Sequence, residues 1–367
     1  MPSAQRLSAG RVQSVALRLI CDKEFDIEKF SKEEYWSVKC DLTSGTAGDG
    51  SPKTENFVAE LTHVHGVKLG KMEPGCREDA EAAAMAVLAA NEKDGLVVSD
   101  VSEKDVSRKP KPPFTTSTMQ QEASSKLGFG AGRTMLAAQC LYEGRGWGEG
   151  LITYMRTDGL HVSPEAVSEI RATATSEFGD GYVPRSPNFY KKKQKNAQEA
   201  HEAIRPTYVT ALPHAVANRL GADSDESRLY RLIWARTMAS QMTPAVTKRV
   251  VVEVGKKLQE KDDDFSLKLR ANGSRLVFPG YLAAYGSDFD SRDSWLPPLS
   301  TGDSVCLTNS GLKVLEKDKR AKRGFGAHND EDDMFAPGAD DSEIRQGGLK
   351  DTLSDIDPKN LAGVTAQ

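Results

Sequence analysis

Val246-Thr247-Lys248-Arg249-Val250-Val251-Val252-Glu253-Val254 follows Pro244 and changes the pattern of the chain. Val250, Val252 and Val254 fall at period two, the spacing of a strand with one buried face. Residues 265–270 alternate likewise, and Arg275-Leu276-Val277-Phe278 predicts a further short strand. Just upstream the period is helical: 225–242 places Leu229, Leu232, Ile233 and Ala239 on one face. Ser163-Pro164-Glu165 opens another helix, with serine as cap, proline at the first position and an acid in the first turn, running to about Phe178. Residues 116–126 and 132–143 predict two more, joined by Leu127-Gly128-Phe129-Gly130. Lys109-Pro110-Lys111-Pro112-Pro113 imposes an extended crossing and marks a boundary.

Upstream of that crossing the pattern is mixed. Residues 7–20 carry Val12, Val15, Ala16, Leu19 and Ile20 at helical spacing, with Ser8 as the expected cap. Residues 35–40 and 57–69 alternate as strands, 77–91 is an Ala-rich helix, and 96–101 is a strand. Residues 43–55 are rich in Gly, Ser, Thr and Pro and predict a loop. The order mixed, helical, β predicts a multidomain α+β protein, with an all-helical domain inserted into a β-rich one whose halves flank it. From Asp318 on, the chain is polar and Gly- and Asp-rich, and disorder is expected.

With 367 residues the chain has room for two or three domains. It contains no run of eighteen apolar residues, so no membrane span is expected, and its first residues lack the apolar core of a secretion signal. The five cysteines are far apart and form no Cys-x-x-Cys, which argues against a zinc site or a disulfide framework and for reduced thiols. The net charge of −4 is unevenly spread: 105–249 holds 20 Lys/Arg against 14 Asp/Glu. A basic middle between acidic ends is compatible with a nucleic-acid groove.

Two short segments carry chemistry. In Gly150-Leu151-Ile152-Thr153-Tyr154-Met155-Arg156-Thr157-Asp158, the β-prone wording puts Tyr154 and Arg156 on the same side. A phenol is a usable nucleophile when its proton can leave, and also a good leaving group, so a phosphotyrosine ester reverses without outside energy. A guanidinium two residues on can brace a phosphate with two donors. The competing reading is a half-buried strand with Tyr154 in the core and Arg156 in a salt bridge. In Gln198-Glu199-Ala200-His201-Glu202-Ala203-Ile204-Arg205-Pro206, a short helix over 195–205 would put Gln198, His201 and Arg205 on one face. Such a face can hold a phosphate or assist proton transfer. His201-Glu202 is not a zinc-protease motif, because position 205 is Arg. The small residues at the start of the first helix, Ser8-Ala9-Gly10-Arg11-Val12-Gln13, could receive a phosphate on backbone N–H groups.

Taken together and in order, Ser8–Ser14, then 112–123 (Pro-Pro-Phe-Thr-Thr-Ser-Thr-Met-Gln-Gln-Glu-Ala), 152–158, 199–206 and Gln241-Met242-Thr243-Pro244-Ala245 resemble the successive signatures of bacterial-type DNA topoisomerase I, the type IA class. The resemblance covers roughly 7–305. It implies a fragment of a toroidal clamp: 1–40 beginning the single-strand-binding domain, 41–112 and 243–310 forming the halves of a β-rich arch, 113–242 the helical domain with the nucleophile, and 311–367 an acidic tail. It implies that Tyr154 attacks a phosphodiester and holds the 5′ phosphate, that Arg156 positions it, and that His201 contacts phosphate or the acidic partner site with support from Arg205 and Gln198. Ser8, Ala9, Gly10, Arg11, Val12 and Gln13 would line the strand groove. The implied substrate is single-stranded or negatively supercoiled DNA, and the implied ion is Mg2+. The family's acidic magnesium-binding domain has no counterpart in this wording and would be missing or separate, so the chain as given is expected to be inactive alone. Position 159 is Gly where the family usually has Ser, and 145–150 reads as a Gly-rich insertion. The alternative is a nucleic-acid-binding remnant that cannot cleave.

Overall fold

The computed structural model describes residues 10–31, 33–44, 55–93, 95–190, 202–257, 265–286 and 294–318. It separates into two units. In the first, the described residues form one helix, α1 (Arg11–Lys29), capped by Gly10 with no side-chain bond. The cap expected at Ser8 lies outside the described residues, and the helix runs nine residues past the predicted end at 20.

The second unit, Glu33–Asp318, holds all the strands among the described residues. These are β1 (Glu34–Ser44), β2 (Asn56–Val64), β3 (Val67–Lys68), β4 (Leu96–Arg108), β5 (Ala245–Lys257), β6 (Phe265–Phe278) and β7 (Ser304–Asp318). All pair antiparallel in the order β1-β7-β4-β5-β6-β2-β3. β1 also pairs with β2, so six strands close on themselves and β3 hangs from β2. Closure removes the unpaired edges that six open strands would expose. The period-two valines do what their spacing predicts: Val250, Val252 and Val254 are all buried. Helix α2 (Arg77–Lys93) adds Ala80, Ala83, Ala84, Val87 and Ala90 to the same core.

Three expectations change. β1 runs through the boundary placed at residue 40, because Cys40 and Leu42 both face the core and the ladder with β7 continues to Ser44 across a bulge. The tail expected from 311 begins as strand: β7 pairs with β1 as far as Glu34↔Asp318. The two strands predicted at 265–270 and 275–278 are one, β6, paired along its length with β5. The tail beyond 318 lies outside the described residues.

Between β4 and β5, neighbours in the sheet, the chain makes α3 (Thr116–Leu127), α4 (Ala131–Glu143), α5 (Pro164–Phe178), α6 (Pro213–Leu220) and α7 (Asp225–Ser240) around a second core. Ser163 caps α5 as its sequence predicts, accepting from the Ala166 N–H at 3.3 Å. α7 is the axis of this core; Leu229, Tyr230, Ile233, Trp234 and Met238 are buried along it. Arg236 is buried as well. Its Nε donates to the Pro112 carbonyl (2.7 Å), one terminal nitrogen pairs with Glu122 of α3 (2.7 Å), and its guanidinium lies 4.8 Å from the Phe114 ring centre. Glu122 also receives Lys126 at 2.7 Å. The proline-rich crossing is thereby tied to both α3 and α7. Among the described residues, no helix is long and apolar enough to cross a membrane.

Candidate active site

Three irregular segments run side by side on the helical core: the chain leading into α3, the tyrosine segment, and the segment after residue 201. Phe114 bridges Ile204 and Ile152 bridges Pro206, both antiparallel. The Ile204 N–H donates to the Phe114 carbonyl (2.8 Å), the Thr153 N–H to the Arg205 carbonyl (2.9 Å), and the Thr207 N–H to the Leu151 carbonyl (2.9 Å). Three of the motifs that stand far apart in sequence therefore meet in space through their main chains.

Two threonines pin the tyrosine segment. Thr116, the first residue of α3, donates its hydroxyl to the Met155 carbonyl at 2.7 Å and lies 3.0 Å from that of Thr157. The same oxygen accepts from the Thr157 N–H (2.9 Å), and the Thr116 N–H donates to the Thr157 carbonyl (2.9 Å). Thr153 Oγ1 donates to the Ala203 carbonyl (2.8 Å) and accepts from the Arg205 N–H (3.0 Å). With both flanks fixed, side chains alternate. Leu151, Ile152, Met155 and Thr157 are buried, while Tyr154, Arg156 and Asp158 are exposed. Tyr154 is 40% exposed, which rules out the reading that placed its ring in the core. Tyr154 and Arg156, two residues apart, are both exposed.

One more aromatic stands at the site. The Tyr142 ring, at the end of α4, meets the Tyr154 ring edge-to-face, with centroids 5.5 Å apart and planes at 67°. The glycine-rich stretch that read as an insertion is the turn that makes this possible. α4 ends at Gly144, the chain doubles back, and the Leu151 N–H donates to the Leu141 carbonyl (2.8 Å). Gly150 slides beneath the Tyr142 carbonyl so closely that a Cβ there would lie 2.6 Å from that oxygen. Arg219 of α6 holds the turn from outside, donating to the Gly146 carbonyl (3.1 Å) with its guanidinium 4.8 Å from the Trp147 ring centre.

The histidine segment departs from expectation. His201 and Gln198 lie outside the described residues. The predicted helix does not extend over 202–205, which is extended chain: the Ala203 and Ile204 N–H groups are taken by the His161 and Phe114 carbonyls rather than by a helical turn. A shared helical face for Gln198, His201 and Arg205 therefore fails at Arg205. That guanidinium is turned inward, pairing with Glu202 (2.8 Å) and donating to the Pro206 carbonyl (2.9 Å); its Nε is buried without a hydrogen-bond partner among the described residues. Glu202 also accepts from the Ser163 N–H at 2.8 Å, linking this segment to the start of α5. Of the expected strand-groove residues, Ser8 and Ala9 lie outside the described residues; Gly10 caps α1, and Arg11, Val12 and Gln13 are exposed in its first turn. Sequence reasoning gave no role to Thr116, Thr153, Glu202 or Tyr142. The threonines lie inside motifs it quoted, but nothing in their spacing shows that their hydroxyls reach backbone forty to fifty residues away. Tyr142 carries no signal at all.

No three His, Cys, Asp or Glu side chains among the described residues come together in a way that could hold a metal. These residues do not fit the magnesium implied by the resemblance, and no step below runs through it. All five cysteines are free.

Comparison with known proteins agrees with the motif order. A family model described as DNA topoisomerase matches residues 1–324. DNA topoisomerase 1 of Rickettsia felis is 42% identical over 299 residues, covering 80% of this chain and 36% of that protein. DNA topoisomerase 1 of Zymomonas mobilis is 42% identical over 325 residues, covering 89% of this chain and 24% of its own length. Among solved structures, full-length topoisomerase I from Thermotoga maritima is similar with a TM-score of 0.62 at 29% identity, over 88% of this chain and 47% of that one. The chain thus spans about a third or less of the length of these curated relatives, and the segments that carry its motifs lie within the matched residues: it belongs to the DNA topoisomerase family.

Proposed function

We propose that this chain is the nucleophile-bearing part of a type IA DNA topoisomerase, and that Tyr154 forms a reversible 5′-phosphotyrosine link with a single DNA strand. The phenolic oxygen attacks phosphorus, an Oη–P bond forms, and the bond from phosphorus to the 3′ oxygen breaks. The phenol loses its proton and the departing 3′ oxygen gains one. Reversal reseals the strand, because the aryl ester keeps the energy of the broken bond. Arg156 braces the non-bridging oxygens and offsets charge that develops on them. On this reading the segment 113–242 carries the nucleophile. The strands of 41–112 and 243–310, with β1 added by its pairing, form the arch of a toroidal clamp. The helix after Ser8 begins the domain that cradles the strand. Single-stranded or negatively supercoiled DNA is the substrate.

The observation that supports this best is the pinned, exposed Tyr154: its backbone is fixed by Thr116 and Thr153, it is 40% exposed, and Arg156 two residues on is exposed as well. The test uses the full chain and a strand with sulfur in place of the bridging 3′ oxygen, a leaving group that departs without protonation. The expected result is a detergent-stable adduct with the native chain and none with Tyr154→Phe, which still binds the strand. An adduct of equal yield in the variant would move the nucleophile elsewhere. Incubated alone with magnesium and supercoiled plasmid, the chain is expected to show no turnover; relaxation would contradict this.

A further inference from the structure

We infer that Tyr142 is a positioning residue for the Tyr154 phenol: its ring holds the nucleophile's ring in one orientation. The inference rests on the reading of Tyr154 as the nucleophile and adds a residue to that site. A half-exposed tyrosine on irregular chain has two side-chain torsions to fix, and pinning the backbone fixes neither. The Tyr142 ring restrains them through a direct ring contact. Its edge-to-face contact at 5.5 Å lies in the range where aromatic pairs attract beyond simple burial. Tyr142 can act this way because its own base is rigid. It sits in the last turn of α4, its carbonyl is packed against Gly150, and the following turn is latched to α6 through Arg219. At 41% exposed, Tyr142 contributes little to the core, so its place there is not explained by packing. A phenol held near its attack geometry loses less freedom on reaching the transition state.

Two measurements on the full chain test this. The first needs no DNA: tyrosines are replaced globally by 3-fluorotyrosine, and the Tyr154 fluorine line is assigned by its loss in Tyr154→Phe. Tyr142→Leu should move and narrow that line, and Tyr142→Phe should restore it. A line unchanged in Tyr142→Leu overturns the inference. The second is the single-turnover rate of adduct formation on the sulfur-bridged strand as strand concentration varies. Tyr142→Leu should lower the maximal rate roughly 2- to 10-fold at unchanged half-saturation, with Tyr142→Phe rescuing it. Equal rates in all three chains, or loss confined to half-saturation, would also overturn it. If the native chain forms no adduct, the nucleophile reading falls and the catalytic consequence with it, while the fluorine line still decides whether Tyr142 holds the ring.

Discussion

The closed sheet and the helical core are held together in different ways. In the sheet, long antiparallel ladders carry the backbone, and the core beneath is almost wholly aliphatic, with Leu42, Val252, Val254 and Leu269 fully buried. In the helical core, much of the backbone that matters is irregular. It is fixed by side chains that reach carbonyls: Thr116 to Met155, Thr153 to Ala203, Arg236 to Pro112, Trp234 to Val209 and Tyr230 to Ala211. A ladder satisfies its own polar groups at every residue, whereas an extended segment outside a sheet has to borrow donors. Tyr154, the proposed nucleophile, sits on the second kind of chain. This gives it an exposed, sharply defined position, and makes that position depend on a few polar side chains far away in sequence.

The comparison breaks most visibly at Arg236. Arg236→Ala removes a buried guanidinium and leaves Glu122 and the Pro112 carbonyl without it, so a loss of about 3–5 kcal/mol is expected in urea unfolding. A loss under 1 kcal/mol would show that the buried pair does not hold the crossing. Leu269→Ala attacks the other region through apolar burial alone and should cost about 2–4 kcal/mol, with adduct formation by the folded fraction unchanged. Reduced adduct formation in that folded fraction would show that the sheet does shape the site. Thr116→Val keeps the volume but removes the hydroxyl bonds to the 155–157 backbone. About 1–3 kcal/mol is expected, together with a slower adduct rate; an unchanged rate would contradict the claim that Thr116 positions the tyrosine. The smallest effect on stability belongs to Arg156→Ala, within about 0.5 kcal/mol because the side chain is exposed. Its effect should appear instead as weaker strand binding with a shallower salt dependence, and identical binding across salt would count against a phosphate contact.

The same division explains how much was legible in the sequence. Val250, Val252 and Val254, the alanines of α2 and the Ser163-Pro164 start of α5 announce their elements, because periodicity and capping are local. β6 did not announce itself as one strand. Asn272-Gly273 looks like a turn, yet Gly273 is there for a close approach: a Cβ would lie 2.8 Å from the Leu296 side chain, and the Ser274 N–H donates to the Ser294 carbonyl (2.8 Å). β7 was missed because Asn309-Ser310-Gly311 interrupts its alternation, and only pairing with β1 carries it on to Asp318. Glu202-Ala203-Ile204-Arg205 has helix-forming wording, but carbonyls of His161 and Phe114 claim its N–H groups and tertiary pairing overrides propensity. At the site, the exposure of Tyr154 and Arg156 on either side of buried Met155 was readable from a period of two. The threonines that hold the segment and the ring of Tyr142 were not, since each acts across a separation no local pattern encodes.

The central claim concerns one atom, the phenolic oxygen of Tyr154, and peptide mapping addresses it most directly. The full chain would be trapped on the sulfur-bridged strand, digested with protease and nuclease, and the nucleotide-bearing peptide fragmented in a mass spectrometer. The account predicts a 5′-nucleotide phosphate on Tyr154, within Gly150–Asp158. A nucleotide on Tyr142, on any other tyrosine or on a serine, with Tyr154 unmodified, would contradict it.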